Sequence, residues 1–309
     1  MTLRIYRKPI RHEGTRAALT LWLSLIATIL MGSVAQAANP SLAKTLEIAS
    51  HRSEFESPTE LQLATFYDLA SDTLAANQRL TVLRDRWQTI GWTLTETSIN
   101  KSRVWIIHDR AQPRRGSGVF VIRPDSTNRI ALQCPHSFYD RFTRTITVRL
   151  FEQSDIRAAA WNSVHRKVCD VAHEDRSYFQ EFTRAFIATQ PATETNAFIV
   201  QIHGFSQAAR KTNNGASADI IVSNGTRFPP PWIRVMAINL HMLSPNVRLF
   251  PTQVSELGAT TNSQALLSQK HGTSFLHVEL SDPLRRQLRR QNAAIDQLSA
   301  SILAAAREQ

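Results

Sequence analysis

Apolar positions fall into short runs separated by polar, turn-forming stretches. Behind Ser57-Pro58-Thr59-Glu60, with proline just inside a helix start, Leu61, Leu63, Ala64, Tyr67 and Leu69 recur at helical spacing. A second helical stretch is predicted from about Gln78 to Gln88, broken by Gly91. Continuous apolar runs then predict buried strands at 103–108 (RVWIIH), 119–123 (VFVIR) and 130–134 (IALQC). Further strands are predicted at 197–202 (AFIVQI), 219–223 (DIIVS) and 275–280 (FLHVEL). Helical patterns lie between or after them: Thr143–Glu152 despite its β-branched residues, Tyr178–Thr189, Trp232–His241, and Leu284 to about Ala305 behind Pro283. Residues 38–55 are mixed and polar and read as a linker or surface lead-in. Alternation of apolar strands with helices predicts an α/β layer structure, a mixed, mostly parallel sheet flanked by helices.

The amino terminus has its own pattern. Arg4, Arg7, Lys8, Arg11 and Arg16 precede an apolar run from Ala18 to Val34, which ends in Ala35-Gln36-Ala37. Basic segment, apolar segment and small-x-small site are the order of a secretory signal. Residues 1–37 are therefore expected to be a cleaved signal peptide, the competing reading being a retained anchor. Residues 38–309 are expected to form a single domain, exported to the periplasm or secreted, with 38–114 a helical lead-in plus strand and no stable membrane insertion after cleavage.

Charge adds to this. The 309 residues carry 36 Lys+Arg against 25 Asp+Glu, a formal net charge of +11. In an exported protein that balance favours a polyanionic substrate or envelope surface over nucleic acid. The densest basic cluster, Arg285, Arg286, Arg289 and Arg290, reads as a solvated helix face. The two cysteines, Cys134 and Cys169, would meet an oxidising compartment, and a disulfide between them is favoured over two buried thiols. It would close a loop of about 36 residues, worth roughly 4 kcal/mol.

In open α/β sheets, sites form beyond the carboxyl ends of strands. After IALQC comes Pro135-His136-Ser137-Phe138-Tyr139-Asp140; after AFIVQI comes His203-Gly204; FLHVEL contains Glu279 and leads into Ser281-Asp282. Two imidazoles, a carboxylate and a second carboxylate as base are the inventory of a catalytic zinc centre. Singly, each residue has a plainer reading: the histidines as loop residues, Asp140 as a helix N-cap, Glu279 as a partner for a later arginine.

PHSFYD at 135–140, IHGF at 202–205 and HVELS at 277–281 resemble the metal-site segments of zinc-dependent amidohydrolases. The families are the N-formylglutamate amidohydrolases and the phage poly-γ-glutamate hydrolases, similar in fold to zinc carboxypeptidases. The resemblance covers roughly residues 115–295 and implies zinc held by His136, Asp140 and His203, with Glu279 as general base. Asp140 departs from the glutamate usual in these relatives, and its spacing of four from His136 differs among them. A disulfide to Cys134 would hold the Cys169 loop beside His136, bringing His165, Arg166, Asp170 and His173 near the metal. His165, Asp170 and His173 would then orient ligands or touch substrate, and Arg166 would stabilise an oxyanion or grip a substrate carboxylate. Ser223-Asn224-Gly225-Thr226 is expected at the pocket rim.

The expected activity is hydrolysis of an amide bond in a small-molecule, peptide or polyanionic substrate. The alternative is an exported metal- or envelope-binding protein without turnover. A serine hydrolase is disfavoured because no GxSxG occurs.

Overall fold

A computed structural model describes residues 41–49, 54–110, 115–190 and 197–309, all within one compact unit, Pro40–Gln309. The expected signal segment lies outside the described residues. Among these residues no helix is long and apolar enough to cross a membrane.

Among the described residues, nine strands form one mixed sheet. In chain order they are β1 (Trp92–Ile99), β2 (Ser102–Asp109), β3 (Val119–Ile122), β4 (Ile130–Cys134), β5 (Ala158–Trp161), β6 (Phe198–Phe205), β7 (Ile220–Ser223), β8 (Val247–Leu249) and β9 (Ser274–Ser281). The spatial order is β1-β2-β3-β5-β4-β6-β9-β7-β8. β5, β4, β6 and β9 run parallel at the centre, as do β7 and β8 at one edge; the other pairings are antiparallel. The sheet is thus mixed as expected, with its parallel part at the centre.

Side chains alternate across each strand, and the sheet separates two cores. Leu132, Val200, Ile202, Val278 and Leu280 enter one. That side is covered by α1 (Leu42–Ala49), α4 (Thr143–Glu152), α7 (Pro231–Leu240), α9 (Asp282–Arg290) and α10 (Asn292–Arg307). Ala131, Ile199 and Phe275 enter the other, under α2 (Glu60–Ala75), α3 (Leu80–Thr89), α5 (Tyr178–Ala188) and α8 (Ser263–Lys270). Here Phe66 packs against Trp87, Trp92, Phe120 and Tyr178 with ring centroids 4.9–5.2 Å apart. The short helix α6 (Asn213–Ser217) stands on the connection from β6 to β7.

Several expectations are corrected. Residues 42–49 of the supposed lead-in are helical, because Leu42 and Leu46 bury one turn apart against the core. The antiparallel strand β1 precedes the first strand expected; its alternation of apolar residues fades after Leu94. β5, read as no element, is Ala-Ala-Ala-Trp: alanine signals strand weakly, yet all four residues are buried as the strand pairs with both β3 and β4. The carboxyl-terminal helix is two helices, broken at Gln291 in extended conformation.

Cys134 and Cys169 are free and buried. Cys134 points into the first core and Cys169 packs in the second, so the sheet separates the two thiols. The Cys169 loop is held near β4 without a disulfide: Asn162 donates its backbone N–H to the Cys134 carbonyl and its side-chain amide to that of Cys169.

Candidate metal and catalytic site

The site lies at the carboxyl ends of β4, β6 and β9. The parallel register pairs Gln201 with His277 and His203 with Glu279. These four side chains share the face that carries Ile199 and Phe275 deeper in the sheet, so one layer passes from apolar core to polar site along the strands.

His136 follows β4 in a turn closed by bonds from the Tyr139 and Asp140 backbone N–H groups to its carbonyl. Asp140 is buried, and its Oδ2 accepts the Gly204 backbone N–H at 3.0 Å, so it anchors the β6 end and does not cap α4. The glycine at 204 is required by a neighbour: a Cβ there would stand 2.2 Å from the Arg285 guanidinium. Arg285 is itself buried, donating to the carbonyls of Arg141 and Phe205. It therefore leaves the solvated arginine face to Arg286, Arg289 and Arg290.

Three atoms converge. His136 Nδ1 lies 3.1 Å from Asp140 Oδ2 and 3.1 Å from His203 Nδ1, and His203 Nδ1 lies 3.8 Å from Asp140 Oδ2. With bonds of about 2.0–2.2 Å, two ligands of a tetrahedral zinc ion stand roughly 3.3–3.6 Å apart. The observed triangle is within a few tenths of an ångström of that.

The outer ring nitrogens are engaged. His136 Nε2 lies 2.8 Å from Asp170 Oδ1, and His203 Nε2 lies 3.0 Å from Gln201 Oε1. Each Nε2 faces an acceptor, which favours a proton there and turns both Nδ1 atoms toward one another and toward a carboxylate oxygen, where a shared proton or a cation would bridge them. Burial alone would lower the His136 pKa, but bonds to Asp140 and Asp170 outweigh it and lift it to about 9. Asp170 is held at about 2, its burial outweighed by the bond to His136. His203 is pushed well below the ordinary range by burial and by the neighbouring His277 and His136.

Beside this triangle, His203, His277 and Glu279 form a second group of possible ligand atoms, all within 4.8 Å of one another. His277 Nδ1 and Glu279 Oε2 are buried with no hydrogen-bond partner. Burial, then the Asp140 charge, raises the Glu279 pKa to about 8, and burial lowers that of His277 to about 3. Buried polar atoms left unsatisfied are costly, and both residues line a cavity of about 300 Å³ with His136 and His203.

Arg166 and His173 also line this cavity. Arg166 pairs with Asp170 at 2.6 Å and reaches within 3.4 Å of His136 Nδ1. His173 is exposed and bonded to the Thr261 carbonyl. His165 stands apart, its ring against Tyr139 and its Nδ1 accepting the Lys167 N–H. The far wall is the 257–262 segment, not 223–226; Ser223 supports it from behind by donating to the Gly258 carbonyl. His277 and Gln201 were not picked out from sequence, although each sits two residues before a chosen one and period two puts both on the site face.

No protein-family model matches the chain, and no curated protein matches it in sequence. Solved structures do. A gene product of Agrobacterium tumefaciens superposes with TM-score 0.47 at 15% identity, over 59% of this chain and 91% of that one. N-formylglutamate amidohydrolase from Ralstonia eutropha gives 0.42 at 10%, over 62% and 97%. A metallo-carboxypeptidase from Burkholderia cenocepacia gives 0.35 at 12%, over 81% and 69%. The amidohydrolase is of a kind that the motifs resemble, and the carboxypeptidase is of the fold that the resemblance implies. At these scores, the chemistry of the site rests on its own residues.

Proposed function

We propose that this protein is an exported, zinc-dependent hydrolase of amide bonds, with zinc held by His136, Asp140 and His203 and with Glu279 as general base. The observation that carries the reading is the convergence of two imidazole Nδ1 atoms and an Asp140 carboxylate oxygen beside the buried Glu279 carboxyl group, whose Oε2 has no hydrogen-bond partner, at a cavity lined by His136, His203 and Glu279. A structural cross-link would not need Glu279 there; hydrolysis does.

A zinc ion held by these three groups supplies Lewis acidity, which polarises an amide carbonyl and makes water acidic near neutral pH. Glu279 takes a proton from the attacking water on a carboxylate oxygen and delivers it to the leaving amine nitrogen. Asp170, 2.8 Å from His136 Nε2, holds that imidazole with Nδ1 toward Asp140 and His203. Arg166, at the cavity wall and tethered by Asp170, balances charge on the carbonyl oxygen or holds a substrate carboxylate. The proposed substrate is an N-acyl amino acid, a γ-glutamyl unit or a peptide end, bound in the cavity of about 300 Å³. Export rests on the amino-terminal pattern of basic, apolar and small residues.

The test is metal content of the purified chain beside a His136→Ala/His203→Ala variant, followed by an amide-substrate screen. About one zinc per chain, lost in the variant, is expected. No zinc after reconstitution overturns the reading.

A further inference from the structure

The outer partner of His136 is a carboxylate, which can only accept. The outer partner of His203 is an amide, which could present either end. The structure removes that freedom through three anchors, each ending on a backbone group. Gln264 donates Nε2 to the Val171 carbonyl at 3.0 Å, so its Oε1 faces Gln201. Thr183 donates its hydroxyl to the Phe179 carbonyl, so its oxygen accepts Gln133 Nε2 at 2.8 Å and Gln133 Oε1 faces Gln201. Asn262 Oδ1 accepts the Gln264 and Ala265 backbone N–H groups that start α8, so its Nδ2 faces Gln201.

Gln201 has no choice left. Both hydrogens of its Nε2 are taken, by Gln133 Oε1 at 2.9 Å and Gln264 Oε1 at 2.8 Å. Its Oε1 receives Asn262 Nδ2 at 2.8 Å and stands 3.0 Å from His203 Nε2. Gln133, Gln201, Gln264 and Thr183 are fully buried and Asn262 nearly so, so water does not compete. Turning the Gln201 amide over would oppose oxygen to oxygen and nitrogen to nitrogen at every contact.

We propose that Gln201 is a positioning residue: its amide, locked by this buried ladder, holds the His203 proton on Nε2 and so keeps Nδ1 an electron-pair donor toward Asp140 and His136. The proposal rests on the zinc reading for its purpose, though the position of the proton is a property of the protein alone. It gives the ladder a task in a place where apolar side chains would fill the same space.

The experiment uses protein with 15N-labelled histidine and no added metal. Two-bond proton–nitrogen correlations distinguish an Nε2 proton from an Nδ1 proton on His203. Zinc affinity is measured in parallel by competition with a chromophoric chelator, in wild type, Gln201→Met and Thr73→Val. Expected are an Nε2 proton in wild type, a mixture of tautomers in Gln201→Met, and zinc binding about 10- to 100-fold weaker in that variant, the usual cost of losing an outer partner. Thr73→Val, which breaks a buried hydrogen bond from Trp87 outside the ladder, is expected to lower Tm and leave zinc affinity within about twofold. An Nδ1 proton in wild type overturns the proposal, whether or not Gln201→Met folds. So does a Gln201→Met protein with unchanged tautomer and unchanged affinity. Equal weakening by both variants also overturns it, since general loosening would then explain the loss. Wild type that shows the Nε2 proton but binds no zinc supports the proton assignment and defeats the zinc reading.

Discussion

His203 and Glu279 are direct register partners across the parallel strands β6 and β9. One step of the ladder therefore sets an imidazole whose Nδ1 lies 3.1 Å from His136 Nδ1 beside a carboxyl group whose Oε2 has no hydrogen-bond partner. Glu279→Gln preserves shape and removes the proton-accepting oxygen. In the amide-hydrolysis reading, the variant binds zinc as wild type does and loses about 10²- to 10⁴-fold in kcat, with little change in KM. Steady-state kinetics beside metal content check this; normal turnover removes Glu279 from the role of base.

Gly204 is fixed by packing. Its missing side chain is the space that the Arg285 guanidinium fills, and Arg285 is tied to the Arg141 and Phe205 carbonyls. Gly204→Ala forces those atoms apart, at a cost of about 1–3 kcal/mol for overpacking. Because the Gly204 N–H also holds Asp140, zinc affinity is expected to fall with Tm. Thermal unfolding and chelator competition on the same variant check both. A variant with wild-type Tm would show that Arg285 moves freely.

The cysteines are expected to behave as two inert thiols. Burial pushes the Cys134 thiol up, and raises Cys169 to about 12. The thiolate is the reactive form, so a thiol reagent labels neither residue quickly in the native protein and both after denaturation. Reducing agent leaves Tm unchanged. A single disulfide by mass in protein purified from an oxidising compartment would contradict this.

Glu256 holds the start of α6 by accepting the Lys211 and Thr212 backbone N–H groups and the Thr212 hydroxyl. Burial pushes its pKa up, but these bonds outweigh that and leave it below the ordinary carboxylate range. A lowered folded pKa contributes stability that is present above the unfolded pKa and lost as pH falls through the folded one. Glu256→Gln should thus be less stable than wild type at neutral pH, and the gap should narrow as the solution is acidified below the carboxylate range. Denaturant midpoints across pH check the sign; a gap that widens in acid refutes it.

The amino-acid sequence alone determined the apolar runs that become β2, β3, β4, β6, β7 and β9, and it placed PHSFYD, His203-Gly204 and Glu279 at their ends. Strands and helices announce themselves by local periodicity, and a parallel centre puts successive strand ends on one edge. His136, Asp140, His203 and Glu279 could be chosen on that basis, and the fold brings them together; Arg166 was expected there only through a Cys134–Cys169 disulfide, and it lines the cavity without one. Only the tertiary structure decided what depends on which face a residue meets and who stands opposite. It set Cys134 and Cys169 on opposite sides of the sheet, and it drew Arg285 out of an exposed arginine cluster to fill the space above Gly204. It also turned Gln201, one polar residue within an apolar strand, into a fixed acceptor for His203. Those outcomes come from contacts between residues tens of positions apart, where partner and distance exist only after the strands have paired.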